Sequence, residues 1–118
     1  MAKLLIADDN EDLLELMEIF LEEKGYEIKT VATKKKLFSE LKNYQPDLIL
    51  LDVFLNGEDG REICKQLREN VKNINLNIII ISANPYAMKE FKKFGADGYI
   101  EKPFELEDLL TKIEETVN

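Results

Sequence analysis

Histidine and tryptophan are absent from this chain of 118 residues, and cysteine occurs once, at Cys64. Without histidine there can be no Ser-His-Asp or Cys-His nucleophilic site, no imidazole acid–base catalysis, no ordinary zinc centre and no phosphorylated histidine. A lone cysteine permits no internal disulfide and no cysteine cluster, a usage that suits a reducing compartment. No apolar run approaches the ~18 residues of a membrane-spanning helix, and the N-terminus reaches acid at Asp8-Asp9, too soon for a secretory signal. A cytoplasmic location without membrane association is expected. Positive charge is outnumbered: 16 Lys+Arg stand against 24 Asp+Glu, a net charge of −8 that repels a phosphate backbone, so no direct nucleic-acid partner is expected. With only three prolines and five glycines and no linker-like tract, residues 1–118 read as one domain.

What is present alternates between apolar runs and amphipathic stretches. Lys3 to Asp8 reads as a strand buried on both faces, and Leu13, Leu14, Met17, Phe20 and Leu21 then recur at helical spacing up to Gly25. Tyr26 to Val31 is a second strand, followed by a helix capped by Thr33 that carries Leu37, Phe38 and Leu41 and ends near Gln45-Pro46. Asp47 to Asp52 is a third, central strand. Ile63, Cys64 and Leu67 mark the inner stripe of a third helix, which Asn73 to Asn77 breaks. Ile78-Ile79-Ile80-Ile81-Ser82 is the least ambiguous strand, because four β-branched residues in a row disfavour a helix. Pro85 opens a short helix with Met88 and Phe91, closed by Gly95. Gly98 to Glu101 is the fifth strand, and Leu106, Leu109, Leu110, Ile113 and Val117 line one face of a last helix. Five βα units with right-handed crossovers give a doubly wound, five-stranded parallel sheet, order 2-1-3-4-5, flanked by five helices.

Ligands of such sheets sit beyond the carboxyl ends of the strands, where this chain places Asp8-Asp9, Asp52, Ser82 and Lys102. Three carboxylates at one edge repel one another unless a cation lies between them, and few all-oxygen ligands suit Mg²⁺. One of the three could also attack a phosphoryl group, with Mg²⁺ and an ammonium such as Lys102 neutralising the charge and Ser82 donating a hydrogen bond. Each residue alone has a plainer role: Asp8, Asp9 or Asn10 as a helix cap, Ser82 as a turn residue, Lys102 as a surface lysine held by Glu101 or Glu105. Only the combination carries weight.

That combination resembles the receiver domains of two-component response regulators, and the likeness covers nearly the whole chain. It rests on Asp8-Asp9, Leu50-Leu51-Asp52 with Gly57 and Asp59-Gly60 after it, Ser82-Ala83, Gly95-Ala96-Asp97-Gly98-Tyr99 and Lys102-Pro103-Phe104, in this order and spacing. The resemblance implies the flavodoxin-like fold and a phosphorylation-gated switch. It makes Asp52 the phosphoryl acceptor and gives Mg²⁺ to Asp8, Asp9, Asp52 and the backbone carbonyl of Phe54. Ser82 and Tyr99 become the switch residues, Lys102 the partner of the phosphoryl group, and the Lys102-Pro103 bond is expected to be cis. The implied partners are a sensor histidine kinase or phosphotransfer protein, a downstream effector, and a second copy in a homodimer. The protein is not expected to be an enzyme beyond supporting its own modification.

The sequence also departs from the family pattern. Asn56 replaces the usual proline of the loop after Asp52, which predicts a looser loop. Phe54 and Asn84 are the expected gates, Phe54 shielding an acyl phosphate from water. The stretch from Ser82 to Gly95 is about half a helical turn short, which trims the surface many relatives use for partners. These departures leave room for a phosphorylation-independent interaction module. A flavin carrier is disfavoured because the acidic Asp8 to Asp12 run would repel a flavin phosphate, and an aspartate-pair phosphatase because Phe54 stands where its second carboxylate would be.

Overall fold

The computed structural model describes residues 2–70 and 75–117, without the side chains of residues 70, 87 and 88. Its main sheet is built from β1 (Lys3–Ala7), β2 (Glu27–Val31), β3 (Leu48–Asp52), β6 (Asn77–Ser82) and β7 (Gly98–Glu101). All neighbours pair parallel in the order β2-β1-β3-β6-β7, which is the expected 2-1-3-4-5 order of the main strands. Every residue of β3 is buried, because this strand is covered on both faces and paired on both edges. Alternate residues divide the core in two. Leu4, Ile6, Leu48, Leu50, Ile79 and Ile81 pack with Leu14, Met17 and Leu21 of α1 (Glu11–Glu23) and with Leu109 and Ile113 of α5 (Leu106–Val117). Leu5, Ile49, Leu51, Ile78 and Ile80 face Leu37 of α2 (Lys34–Glu40) and Ile63, Cys64 and Leu67 of α3 (Gly60–Asn70). Cys64 is a small buried hydrophobe whose burial pushes its thiol up to about 11.

The expectation of five flanking helices needs correction. Four helices of seven residues or more are present among the described residues. In place of the fifth stands α4 (Pro85–Lys89), a turn and a half that stops at Glu90 and resumes as a 3-10 turn over Phe91–Phe94. The 3-10 turn winds more tightly than an α-helix and rises more per residue, so it carries the chain from Glu90 to Gly95 in a single turn. Gly95 ends the turn with φ +90°, the left-handed conformation that glycine takes without steric cost. The side chain of Met88, expected on this helix, lies outside the described side chains, and the expected helix break at Asn73 lies outside the described residues. The helix begun at Thr33 ends at Glu40 rather than near Gln45, and hydrogen-bonded turns carry the chain from there to Tyr44.

The loop after β3 also carries pairing of its own. Phe54–Leu55 (β4) and Glu58–Asp59 (β5) pair antiparallel as a small hairpin. Its two-residue turn is Asn56-Gly57, with φ of +50° and +83°. Positive φ at both central positions is what a type I′ turn requires and what Asn-Gly supplies. The buried Leu55 anchors the hairpin, and the Asn56 N–H donates to Asp9 Oδ2 at 3.1 Å, which ties its tip to the end of β1.

Candidate phosphoryl and metal site

Strand register places the acidic residues side by side. Ala7 lies opposite Leu51, so Asp8, the next residue, comes beside Asp52 at the end of β3. Ser82 pairs with Glu101, and the Lys102 N–H donates to the Ser82 carbonyl at 2.9 Å, which brings the lysine to the same edge. Its Nζ donates to Asp8 Oδ2 at 2.9 Å and to Asp52 Oδ2 at 3.3 Å. The lysine is thus turned inward rather than held at the surface. The other oxygens are used too: Asn10 N–H donates to Asp8 Oδ1 at 2.9 Å and Phe54 N–H to Asp52 Oδ1 at 3.2 Å. Asn10, not either aspartate, caps α1, its Oδ1 accepting from Leu13 N–H at 3.1 Å. The Lys102-Pro103 bond is cis.

Asp8, Asp52 and Ser82 are buried, while Asp9 is exposed at the mouth. Burial and then the charge of Asp8 raise the Asp52 carboxyl to about 6, against the opposing pull of Lys102 and the Phe54 N–H. For Lys102 burial disfavours the charge, but hydrogen bonds and charge from Asp8 and Asp52 outweigh it and hold the ammonium above its usual range. A carboxyl raised on folding stabilises the fold below its unfolded pKa and loses that contribution as pH rises through the folded value. In chelator, Asp52→Asn is therefore expected to be more stable than the native chain at about pH 8, on the order of 2 kcal/mol, with the advantage vanishing toward about pH 4. Urea midpoints across that range check this.

One oxygen each from Asp8, Asp9 and Asp52 lies within 4.8 Å of the other two. Three hard anionic oxygens at that spacing fit a Mg²⁺ ion, which prefers a few carboxylates and keeps waters on its remaining positions. Phe54 places its backbone beside this group through its N–H bond to Asp52, while its ring is 67% exposed at the rim. The cleft has a volume of about 410 Å³ and is lined by Asp9, Asp52, Phe54, Ser82, Asn84 and Lys102 among others. Ser82 Oγ accepts from Asn84 N–H at 2.8 Å, and Asn84 Oδ1 in turn accepts from Tyr86 N–H at 2.9 Å, capping α4. Tyr99 lies apart from the acidic cluster, 39% exposed and packed on Phe91.

Two residues matter in ways the sequence reading did not reach. A Cβ on Gly60 would press on the Asp52 carbonyl oxygen and lie 2.7 Å from Val53 Cα, so this glycine lets α3 start directly against the strand that carries Asp52. Gly60→Ala is expected to cost about 2 kcal/mol in urea unfolding, because the obstacle is backbone and cannot move aside as a side chain can. The other is Arg68, which among the described residues donates to the Gly95 and Leu76 carbonyls and to Asp97 Oδ2, at the opposite edge of the sheet from Asp52. An arginine on an amphipathic helix reads as solvated surface, and nothing in its spacing signals a clamp.

The family model described as the response regulator receiver domain matches residues 4–114. Relatives include the response regulator ArlR of Staphylococcus saprophyticus, 35% identical over 96% of this chain and 51% of its own length. The alkaline phosphatase synthesis transcriptional regulatory protein PhoP of Bacillus subtilis is 36% identical over 86% of this chain and 42% of its own length. Among solved structures, a putative response regulator from Chloroflexus aurantiacus superposes with a TM-score of 0.90 at 29% identity, covering 98% of this chain and 97% of that one. A two-component response regulator from Clostridium difficile gives 0.90 at 27% identity, covering 99% and 96%. The chain belongs to the response regulator receiver domain family of two-component systems. It spans about half the length of the curated relatives it matches. No helix among the described residues is long and apolar enough to cross a membrane.

Proposed function

We propose that this receiver domain is a phosphorylation-gated switch whose acceptor is Asp52. The observation that carries the reading is the bridge from Lys102 to Asp8 and Asp52 at the strand edge, with Asp9 and Ser82 beside it. A buried carboxylate must be ionised to act as a nucleophile, and Lys102 opposes the burial and repulsion that would protonate it. The donor is a phosphohistidine on a sensor histidine kinase or phosphotransfer protein: an Asp52 oxygen forms the O–P bond while the P–N bond breaks, and the imidazole nitrogen leaves with the electron pair. Mg²⁺, held by Asp8, Asp9, Asp52 and the Phe54 carbonyl, would neutralise charge on the phosphoryl oxygens. Lys102 stands ready to pair with the same oxygens. The domain catalyses nothing beyond its own modification, and it acts in the cytoplasm.

Ser82 converts the new charge into movement. Its hydroxyl is engaged with the backbone of Asn84; turning toward a phosphoryl oxygen releases the Asn84 N–H and disturbs the residue that caps α4. A short helix held by one cap responds strongly to its loss. Tyr99 then turns inward and the face of α4, β7 and α5 changes for a downstream effector or a second copy. Phe54 stands at the rim of the cleft and shields the acyl phosphate from water, so Phe54→Asn is expected to shorten the lifetime of the acyl phosphate, measured by the decay of labelled protein.

Amide NMR spectra with Mg²⁺ and beryllofluoride, which stands in for an acyl phosphate, test the switch. Shifts are expected at Ser82, Asn84, Tyr99 and along α4, and not in Asp52→Asn. Shifts confined to the neighbours of Asp8, Asp9 and Asp52 would instead favour a module whose partner surface ignores phosphorylation.

A further inference from the structure

We infer that Phe91 is a positioning residue that holds Tyr99 in its outward orientation, so that this contact sets how readily the domain switches. The inference rests on the proposed role of Tyr99. The two rings meet with centroids 5.1 Å apart and planes inclined at 58°, one of the favourable tilted geometries of an aromatic pair. Tyr99 stands on β7, whose burial alternates so that Gly98 and Ile100 turn inward toward α5 while Tyr99 faces the α4 side. There the 3-10 turn that replaces the end of a fourth helix delivers Phe91 against it.

Phe91 is held in place from behind. Its carbonyl accepts from the N–H groups of Gly95 and Ala96, which closes the 3-10 turn. The carbonyl of Gly95 is gripped by Arg68 Nε at 2.7 Å, and the same guanidinium reaches Leu76 O and Asp97 Oδ2. The segment from Asn84 to Gly95 is thus anchored firmly at its far end by α3. At its near end it is anchored by Ser82, the hydroxyl expected to let go. Turning Tyr99 inward, over its β6 neighbour Ile80, gives up the ring contact with Phe91. Losing that contact opposes the turn, and removing Phe91 removes the opposition.

The full chain labelled with fluorotyrosine tests this by fluorine NMR. It has four tyrosines, and Tyr99→Phe identifies the relevant resonance. The deciding readout is the solvent isotope shift between light and heavy water, which grows with exposure of the ring. Beryllofluoride with Mg²⁺ is expected to reduce it in the native chain. Phe91→Ala, without beryllofluoride, is expected to reduce it as well, and to speed labelling by acetyl phosphate roughly two- to tenfold, the worth of one aromatic pair. A merely structural Phe91 predicts the opposite sign, because deleting a neighbour that covers Tyr99 exposes it further. That larger isotope shift, or an unchanged labelling rate, overturns the inference while leaving the switch intact. A native Tyr99 signal that ignores bound beryllofluoride overturns the switching role of Tyr99 and this inference with it. Should Phe91→Ala not fold, Phe91→Leu carries the same test with the same signs.

Discussion

Lys102→Ala is expected to lower stability by about 3 kcal/mol at neutral pH, the usual scale for leaving buried charge without its partner. Asp8 is fully buried and Asp52 nearly so, and Lys102 is the cation bonded to both. Lys102→Met keeps the packing of the stem and removes only the charge, so it should lose nearly as much. Two treatments should restore the loss through different chemistry. Mild acid protonates Asp52 and relieves the repulsion, and millimolar Mg²⁺ supplies a replacement cation. Urea unfolding of the native chain and both variants, with Mg²⁺ and with chelator, measures all of these effects. A loss below about 1 kcal/mol, or no greater benefit of Mg²⁺ to the variants than to the native chain, would mean that the carboxylates are not held together by this lysine.

Arg68→Ala is expected to cost a similar amount for a different reason. The guanidinium donates to the Gly95 and Leu76 carbonyls at 2.7 and 2.6 Å and to Asp97 Oδ2 at 2.6 Å, and Asp97 Oδ2 also accepts from Ile78 N–H at 2.8 Å. Removing it unties α3 from the starts of β6 and β7 together. The expected loss is about 3 kcal/mol, or roughly 10 °C in Tm for a domain of this size. Arg68→Lys should recover less than half, since one ammonium cannot serve three diverging acceptors. Gly95 is coupled to the same clamp: its φ is +90°, and a Cβ there would lie 2.6 Å from Arg68 Cγ. Because the clamp sits at the opposite edge of the sheet from Asp52, Arg68→Ala should leave Mg²⁺ binding within about twofold of the native chain, read by titration.

Much of this architecture is legible in the sequence because the signals are of one kind. A strand buried on both faces must be a continuous apolar run, and in a parallel sheet the residue that ends it falls at the edge where ligands sit. Leu48 to Asp52 and Ile78 to Ser82 follow that rule, so the convergence of Asp8, Asp52, Ser82 and Lys102 could be expected before any coordinates. The segments that escaped depend on contacts between distant elements. Asn56 stands out first as a missing proline, although Asn56-Gly57 is itself a strong hairpin signal. The fourth helix breaks at Glu90 into a 3-10 turn, which the apolar spacing of Met88 and Phe91 does not reveal. Arg68 and the pairing of Phe91 with Tyr99 join residues far apart in the chain, and neither leaves a pattern within any one helix or strand.

The most direct test of Asp52 as acceptor is the intact mass of the chain after incubation with acetyl phosphate, with Mg²⁺ or with chelator, beside Asp52→Asn. The native chain is expected to gain one phosphoryl group, dependent on Mg²⁺ and absent from the variant. A gain that persists in Asp52→Asn, or that is indifferent to Mg²⁺, would mean that Asp52 is not the acceptor.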